Sequence, residues 1–172
     1  MSSEIDVVFL DAGGVLLSPR DGLVLDRFVQ AGFDVDPGRF FEAHYHGVHA
    51  IDRARAEPEV FDDYHQAYSA HLGLPVDRVA EAGAVLQGLW EQSGLWAQAL
   101  PGAAEGLAAI AATGTPIVIV SNADGTVADV LASTGLLQVG PGPGVEVRAI
   151  VDSGAVGIAK PDPGIFHLAL EA

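Results

Sequence analysis

The chain has 172 residues, of which 49% are hydrophobic and 18% charged; its formal net charge is -15 and it has no cysteine. That length and apolar content suit one folded domain, or a domain with an insertion, and argue against global disorder. The acidity argues against a nucleic-acid backbone or an anionic membrane surface as partner, and without cysteine neither disulfides nor thiolate metal sites form. The opening M-S-S-E-I-D has neither the basic nor the apolar region of a secretory signal, and no apolar stretch reaches the ~18 residues of a membrane span, so a cytoplasmic protein is expected.

Residues 5–11 read as the first strand. Val7 to Leu10 is a short continuous apolar run, as in a buried parallel strand, and it stops at Asp11. Gly13 and Gly14 follow, then a second apolar patch from Val15 to Leu17. An acid at the carboxyl end of such a strand, before a glycine turn, stands where open α/β sheets place their ligands. Asp11 is therefore the first candidate for chemistry, with the plainer alternative that it only starts a turn.

From about Asp21 to Trp96 the pattern is helical. Leu23, Leu25, Phe28 and Val29 recur at mixed helical spacing, and Gly32 closes that segment as a helix-ending glycine would. Asp36 and Pro37 resemble an N-cap followed by proline at the first helical position. Helices are predicted over 59–72 and 77–90, separated by Gly73 to Pro75, and no strand is predicted in this stretch. Residues 18–97 thus read as a helical module inserted after the first strand. Beyond it come a helix over 101–112, ended by Gly114, and a buried strand over 116–120, P-I-V-I-V, leading into Ser121 and Asn122. A helix over 126–134, closed by Gly135, is next. G-P-G-P-G at 140–144 is a loop, 148–151 a third strand, and an irregular stretch passes Lys160 before a helix from Pro163 to Glu171. Outside the insertion strand and helix alternate, which predicts an α/β fold: a three-layer Rossmann-like parallel sheet core, built from 1–17 and 98–172, with an inserted α-helical cap at 18–97.

Successive right-handed crossovers point parallel strands the same way, so Asp11, Ser121–Asn122 and Lys160 share one edge. A carboxylate, a hydroxyl and an ammonium are complementary parts for phosphoryl transfer. The first can attack phosphorus, and the others can hold its equatorial oxygens. A helix-capping serine and a surface lysine are the ordinary alternatives.

The chain resembles the haloacid dehalogenase (HAD) superfamily of hydrolases, most of them phosphatases. The resemblance rests on F-L-D-A-G-G-V-L at 9–16, I-V-S-N at 119–122 and D-S-G-A-V-G-I-A-K-P-D-P at 152–163, and it spans nearly the whole chain. It implies that Asp11 is the nucleophile and a ligand of Mg2+, with the Gly13 carbonyl as a further metal donor. It also implies that Ser121 bonds the transferring phosphoryl group, that Asn122 and Gly14 border the substrate, and that Lys160 steadies both nucleophile and phosphate. The cap would close over the site and select a small phosphomonoester.

Two departures from the family pattern stand out. Gly13 occupies the position where family phosphatases usually carry a second Asp as general acid, a loss of about 10²–10⁴-fold in rate. Asp124, Asp21 and His44 are the candidate substitutes. The alternative that needs no acid is a metal-free 2-haloacid dehalogenase, in which Asp11 attacks carbon. The second departure is that the family's fourth motif, a strand ending in Gly-Asp with the remaining metal acids, is not reached by Ala172. By family analogy that strand pairs with the Asp11 strand. The expectation is a longer natural protein, or a second chain, as in a homo-oligomer, over an exposed edge, together with poor magnesium binding. A third alternative is a family member that has lost catalysis and serves as a binding protein.

The run H-Y-H-G-V-H (His44, His46, His49) lacks the i, i+4 spacing of zinc helices and is expected to be a solvated or cap-face cluster. Asp62–Asp63 and Glu57–Glu59 are read as a solvated helix face, Trp90 and Trp96 as packing, and Asp152 as either a site residue or a turn residue. Gly13 and Gly14 lack dinucleotide-fingerprint spacing.

Overall fold

The computed structural model describes residues 5–54, 60–90 and 94–172. In chain order its elements are β1 (Val8–Leu10), β2 (Leu17–Pro19), α1 (Asp21–Gln30), α2 (Phe40–Ala54), α3 (Val60–His71), α4 (Val79–Trp90) and β3 (Trp96–Ala99). There follow α5 (Ala103–Ala111), β4 (Ile117–Ser121), α6 (Val127–Ser133), β5 (Leu137–Val139), β6 (Val145–Val147), β7 (Ala149–Asp152), α7 (Ser153–Val156) and α8 (Pro163–Glu171). The chain divides into two compact units, Met1–Leu17 with Ala99–Ala172, and Ser18–Gln98. No helix among the described residues is long and apolar enough to cross a membrane.

The first unit is built on a parallel three-stranded sheet of order β1-β4-β7. β4 is buried along its whole length, and its alternating residues serve both faces. Ile117 and Ile119 point to one side, with Leu107 of α5 and Leu131 of α6. Val118 and Val120 point to the other, with Ile165 and Ala169 of α8. The result is helix, sheet, helix, the three-layer α/β arrangement that strand–helix alternation predicts. β1 is shorter than the predicted 5–11. Among the described residues it lies at the sheet's edge, only half buried, with Phe9 stacked on Phe166 of α8.

The second unit is a helical module around Phe28, Phe40, Tyr64, Tyr68, Leu86 and Leu89. The Asp36 carboxylate accepts from the Gly38 N–H at 2.9 Å, but the turn it caps is a 3-10 turn, Pro37–Arg39, that leads into α2. Another 3-10 turn, Val76–Arg78, delays α4 by two residues relative to the predicted start. α2 and α3 pack closely because the Tyr64 ring lies over Gly47, where an added Cβ would stand 2.5 Å from a ring carbon. Trp90 and Trp96 pack edge to face at 5.7 Å, the packing role expected of them. Glu57 and Glu59 lie outside the described residues.

Two expectations are corrected, and two strands appear where none was predicted. Trp96–Ala99 is a strand, not the end of a helical stretch, and it pairs with β2 in a two-stranded sheet. Its sequence W-A-Q-A carries no strand pattern; the distant partner decides its state. Around the 140–144 loop, β5 and β6 form a further small sheet. Finally, the histidine run, expected as a solvated or cap-face cluster, divides between buried and exposed members of α2. His44 is buried with its Nδ1 2.8 Å from the Tyr64 hydroxyl, His46 stacks on His71 at 4.0 Å, and His49 is exposed.

Candidate active site

The sheet register sets the site. Leu10 pairs with Ile119, so Asp11 leaves β1 just as β4 runs on to Ser121, and Ser121 pairs with Asp152 at the end of β7. Asp11, Ser121 and Asp152 therefore stand at the carboxyl ends of adjacent parallel strands. After Asp11 the chain turns sharply. The Ala12 carbonyl accepts from the N–H groups of Leu16 and Leu17 at 2.8 and 2.9 Å, and the Gly14 N–H donates to the Leu17 carbonyl at 2.8 Å. Gly14 has a φ of 75°, the left-handed conformation glycine adopts without strain. This turn brings the Ala12 N–H onto Asp11 Oδ1 at 2.7 Å.

The other carboxylate oxygen, Asp11 Oδ2, lies 2.6 Å from Lys160 Nζ. The Asp11 side chain keeps 41% of its surface exposed, so an incoming molecule can reach it. Ser121 is buried at the end of β4. Asn122, expected to border the substrate, has its carboxamide on the Lys160 backbone. Its Oδ1 accepts from the Lys160 N–H at 2.7 Å, and its Nδ2 donates to the Lys160 carbonyl at 3.0 Å. Its visible role is to seat Lys160. Gly13 is exposed and bridges to Leu17, offering a carbonyl and no side chain.

For a magnesium ion this unit offers the Asp11 carboxylate and the Gly13 carbonyl, and among the described residues no group of three metal-capable His, Cys, Asp or Glu side chains exists. Mg2+ is commonly held by one or two carboxylates with substrate phosphate and water completing its shell. This donor set fits that shared mode.

Each of the three substitute acids is engaged or buried within its own unit. Asp124 Oδ1 accepts from the Thr126 hydroxyl at 2.6 Å and the Thr126 N–H at 3.1 Å. These bonds, the hydroxyl's first, hold its carboxyl below the usual carboxylate range and keep it ionised at neutral pH. Within the second unit, Asp21 Oδ2 accepts from Gln98 Nε2 at 2.9 Å. His44 is buried there, which pushes its pKa down to about 4.

Asp152 proves to be a buried joint. Its Oδ1 accepts from the Gly154 N–H at 2.9 Å, and its Oδ2 from the N–H groups of Gly125 and Val127 at 3.0 and 3.2 Å. The hydroxyl of Ser153, a residue sequence reasoning passed over, bonds both the N–H and the carbonyl of Ala123 at 3.1 Å. The D-S-G triplet was a signal for the cap on Gly154, since Asp two residues before a free N–H is a capping pattern. The bonds to residues 123–127 had no local signal.

No protein-family model matches the sequence, and no curated protein matches it. Solved structures do. YfnB from Bacillus subtilis, assigned as a HAD-hydrolase and bound to magnesium, is 18% identical over 96% of this chain and 71% of its own, with a TM-score of 0.52. A hydrolase from Streptococcus pneumoniae is 17% identical over 96% of this chain and 76% of its own, with a TM-score of 0.51. The fold is thus that of the HAD-type hydrolases.

Proposed function

We propose that the protein is a HAD-type hydrolase of a small phosphomonoester, with Asp11 as nucleophile. The observation that carries this reading is the 2.6 Å ion pair between Asp11 and Lys160, at the strand ends that also present Ser121. An exposed carboxylate paired with a lysine is a nucleophile beside a cation that can also neutralise an incoming phosphate. An oxygen of Asp11 forms a bond to phosphorus as the ester oxygen departs with its electron pair. Lys160 and the Ser121 hydroxyl hold the phosphoryl oxygens during the transfer. Water then attacks phosphorus, releasing phosphate and restoring the carboxylate. Mg2+, when held by Asp11 and the Gly13 carbonyl together with the phosphate, supplies further neutralisation of that charge. With glycine at position 13, the departing oxygen takes its proton from water, which favours substrates with good leaving groups.

Glycine at position 13 favours a second reading, displacement of halide from a 2-haloacid, because halide leaves without a proton. Turnover in heavy-oxygen water separates the two. A phosphatase puts the label into released phosphate and loses activity to a chelator. A dehalogenase, whose ester is opened at the Asp11 carbonyl carbon, puts it into Asp11 and ignores the chelator. Phosphoester turnover insensitive to the Asp11→Asn change would remove both readings.

A further inference from the structure

We infer that Asp152 is a positioning residue: its buried carboxylate clamps the loop after β4 to the loop after β7 and so sets where Lys160 stands against Asp11. The inference rests on the proposed reading of Lys160 as the anion-holding group of the site.

Residues 122–126 leave β4 carrying Asn122, and residues 153–162 leave β7 carrying Lys160. Apart from the single turn of α7, neither loop has regular structure, so cross-links must place them. The links form a row. At the near end Asn122 takes both the N–H and the carbonyl of Lys160. In the middle Ser153 takes both the N–H and the carbonyl of Ala123. At the far end Asp152 takes the N–H groups of Gly125 and Val127 through one oxygen and caps Gly154 with the other. Asp152 is only 5% exposed, so these N–H groups satisfy a carboxylate with little access to water.

Backbone packing gives an independent sign that the two loops are fitted to each other. A Cβ on Gly154 would stand 2.5 Å from the Asp124 carbonyl carbon, 2.6 Å from the Gly125 nitrogen and 2.8 Å from the Ala123 carbonyl oxygen. All are backbone atoms, which cannot swing aside as a side chain would. The Asp152 carboxylate thus closes a seam that leaves no room for a side chain, and Lys160 hangs from the seam's other end. Asp152 acts on Lys160 through the loop and Asn122, not by contact with a reacting group.

Asp152→Asn separates its two jobs. The amide oxygen can still cap Gly154, but an amide nitrogen facing the Gly125 and Val127 N–H groups sets donor against donor. The experiment compares the wild type, Asp152→Asn, Lys160→Met and the double variant by amide hydrogen exchange and by affinity for inorganic phosphate. The expected result is a folded Asp152→Asn protein in which the Gly125, Val127 and Lys160 amides exchange about tenfold faster or more, while Gly154 stays protected. Its phosphate affinity falls about tenfold, and it falls no further when Asp152→Asn is added to Lys160→Met. Equal losses in both backgrounds would overturn the inference, since they would mean that Asp152 acts on stability and not through Lys160. So would unchanged exchange at Lys160. If the wild type binds no phosphate, the proposed function fails, and the Lys160 amide alone decides: faster exchange in Asp152→Asn upholds the clamp and unchanged exchange removes it.

Discussion

Gly154→Ala is the sharpest structural perturbation available in this site. The added methyl meets three backbone atoms at 2.5 to 2.8 Å, closer than carbon sits to any non-bonded neighbour, so one loop must retreat by several tenths of an ångström. Overpacking of this kind costs about 1–3 kcal/mol. At about 2–4 °C per kcal/mol for a chain of this size, the melting temperature falls by roughly 5 °C. The same retreat draws the β4 loop away from Lys160, and misplacement on this scale lowers turnover by roughly 10–100-fold. Gly106→Ala is the matched control. It lies inside α5 with nothing within 4 Å of an added Cβ, so it gains helix propensity and stabilises by about 1 kcal/mol without touching activity. Thermal melts and turnover of p-nitrophenyl phosphate by both variants check the reasoning. A Gly154→Ala protein that melts with the wild type and turns over at full rate would show that the loops are not packed as described.

Three further outcomes are expected. His44 is buried with its pKa lowered from 6.5 to about 4, so the unfolded chain binds a proton that the folded chain refuses as pH falls below 6.5. Stability is therefore full above that pH and declines towards pH 4, by an amount on the order of 2–3 kcal/mol; denaturant melts at both ends of the window should show a steeper acid loss in the wild type than in His44→Gln, and equal losses would refute the assignment. Gly13→Asp restores a carboxyl at the acid position. If phosphoesters are the substrates, it raises turnover of poor leaving groups by up to ~10²-fold or more and changes that of p-nitrophenyl phosphate little; uniform effects on both would contradict an acid role at this position. Calorimetric titration should find Mg2+ bound weakly alone and more tightly with inorganic phosphate present, as expected of a donor set of one carboxylate and one carbonyl; tight binding without phosphate would contradict that mode.

What the sequence made legible follows from how local each signal is. The α/β class was readable because P-I-V-I-V is a continuous apolar run, and because Gly32, Gly114 and Gly135 end helices at the spacings a helix period predicts. Asp11 and Lys160 could be placed on one edge because strand direction fixes which ends of parallel strands meet. β3, β5 and β6 were not readable. They are three or four residues each, too short for a period, and are held by partners outside their own segment. The burial of His44 is a different case. It lies on α2 in helical register with Phe40, Ala43 and Gly47, but a histidine on such a stripe reads equally as buried or solvated until Tyr64 and Trp96 are seen against its ring. Asn122 and Asp152 show the limit most plainly: the cap on Gly154 is local and legible, but only the folded loops reveal that Asn122 turns to the Lys160 backbone and Asp152 to Gly125 and Val127.

The most direct test of the account is to stop turnover of a phosphoester with borohydride and read residue 11 by mass spectrometry. An acyl-phosphate formed on Asp11 is reduced there, so homoserine at position 11, absent without substrate and absent in Asp11→Asn, is the predicted result. Sustained turnover with Asp11 unmodified throughout would contradict it.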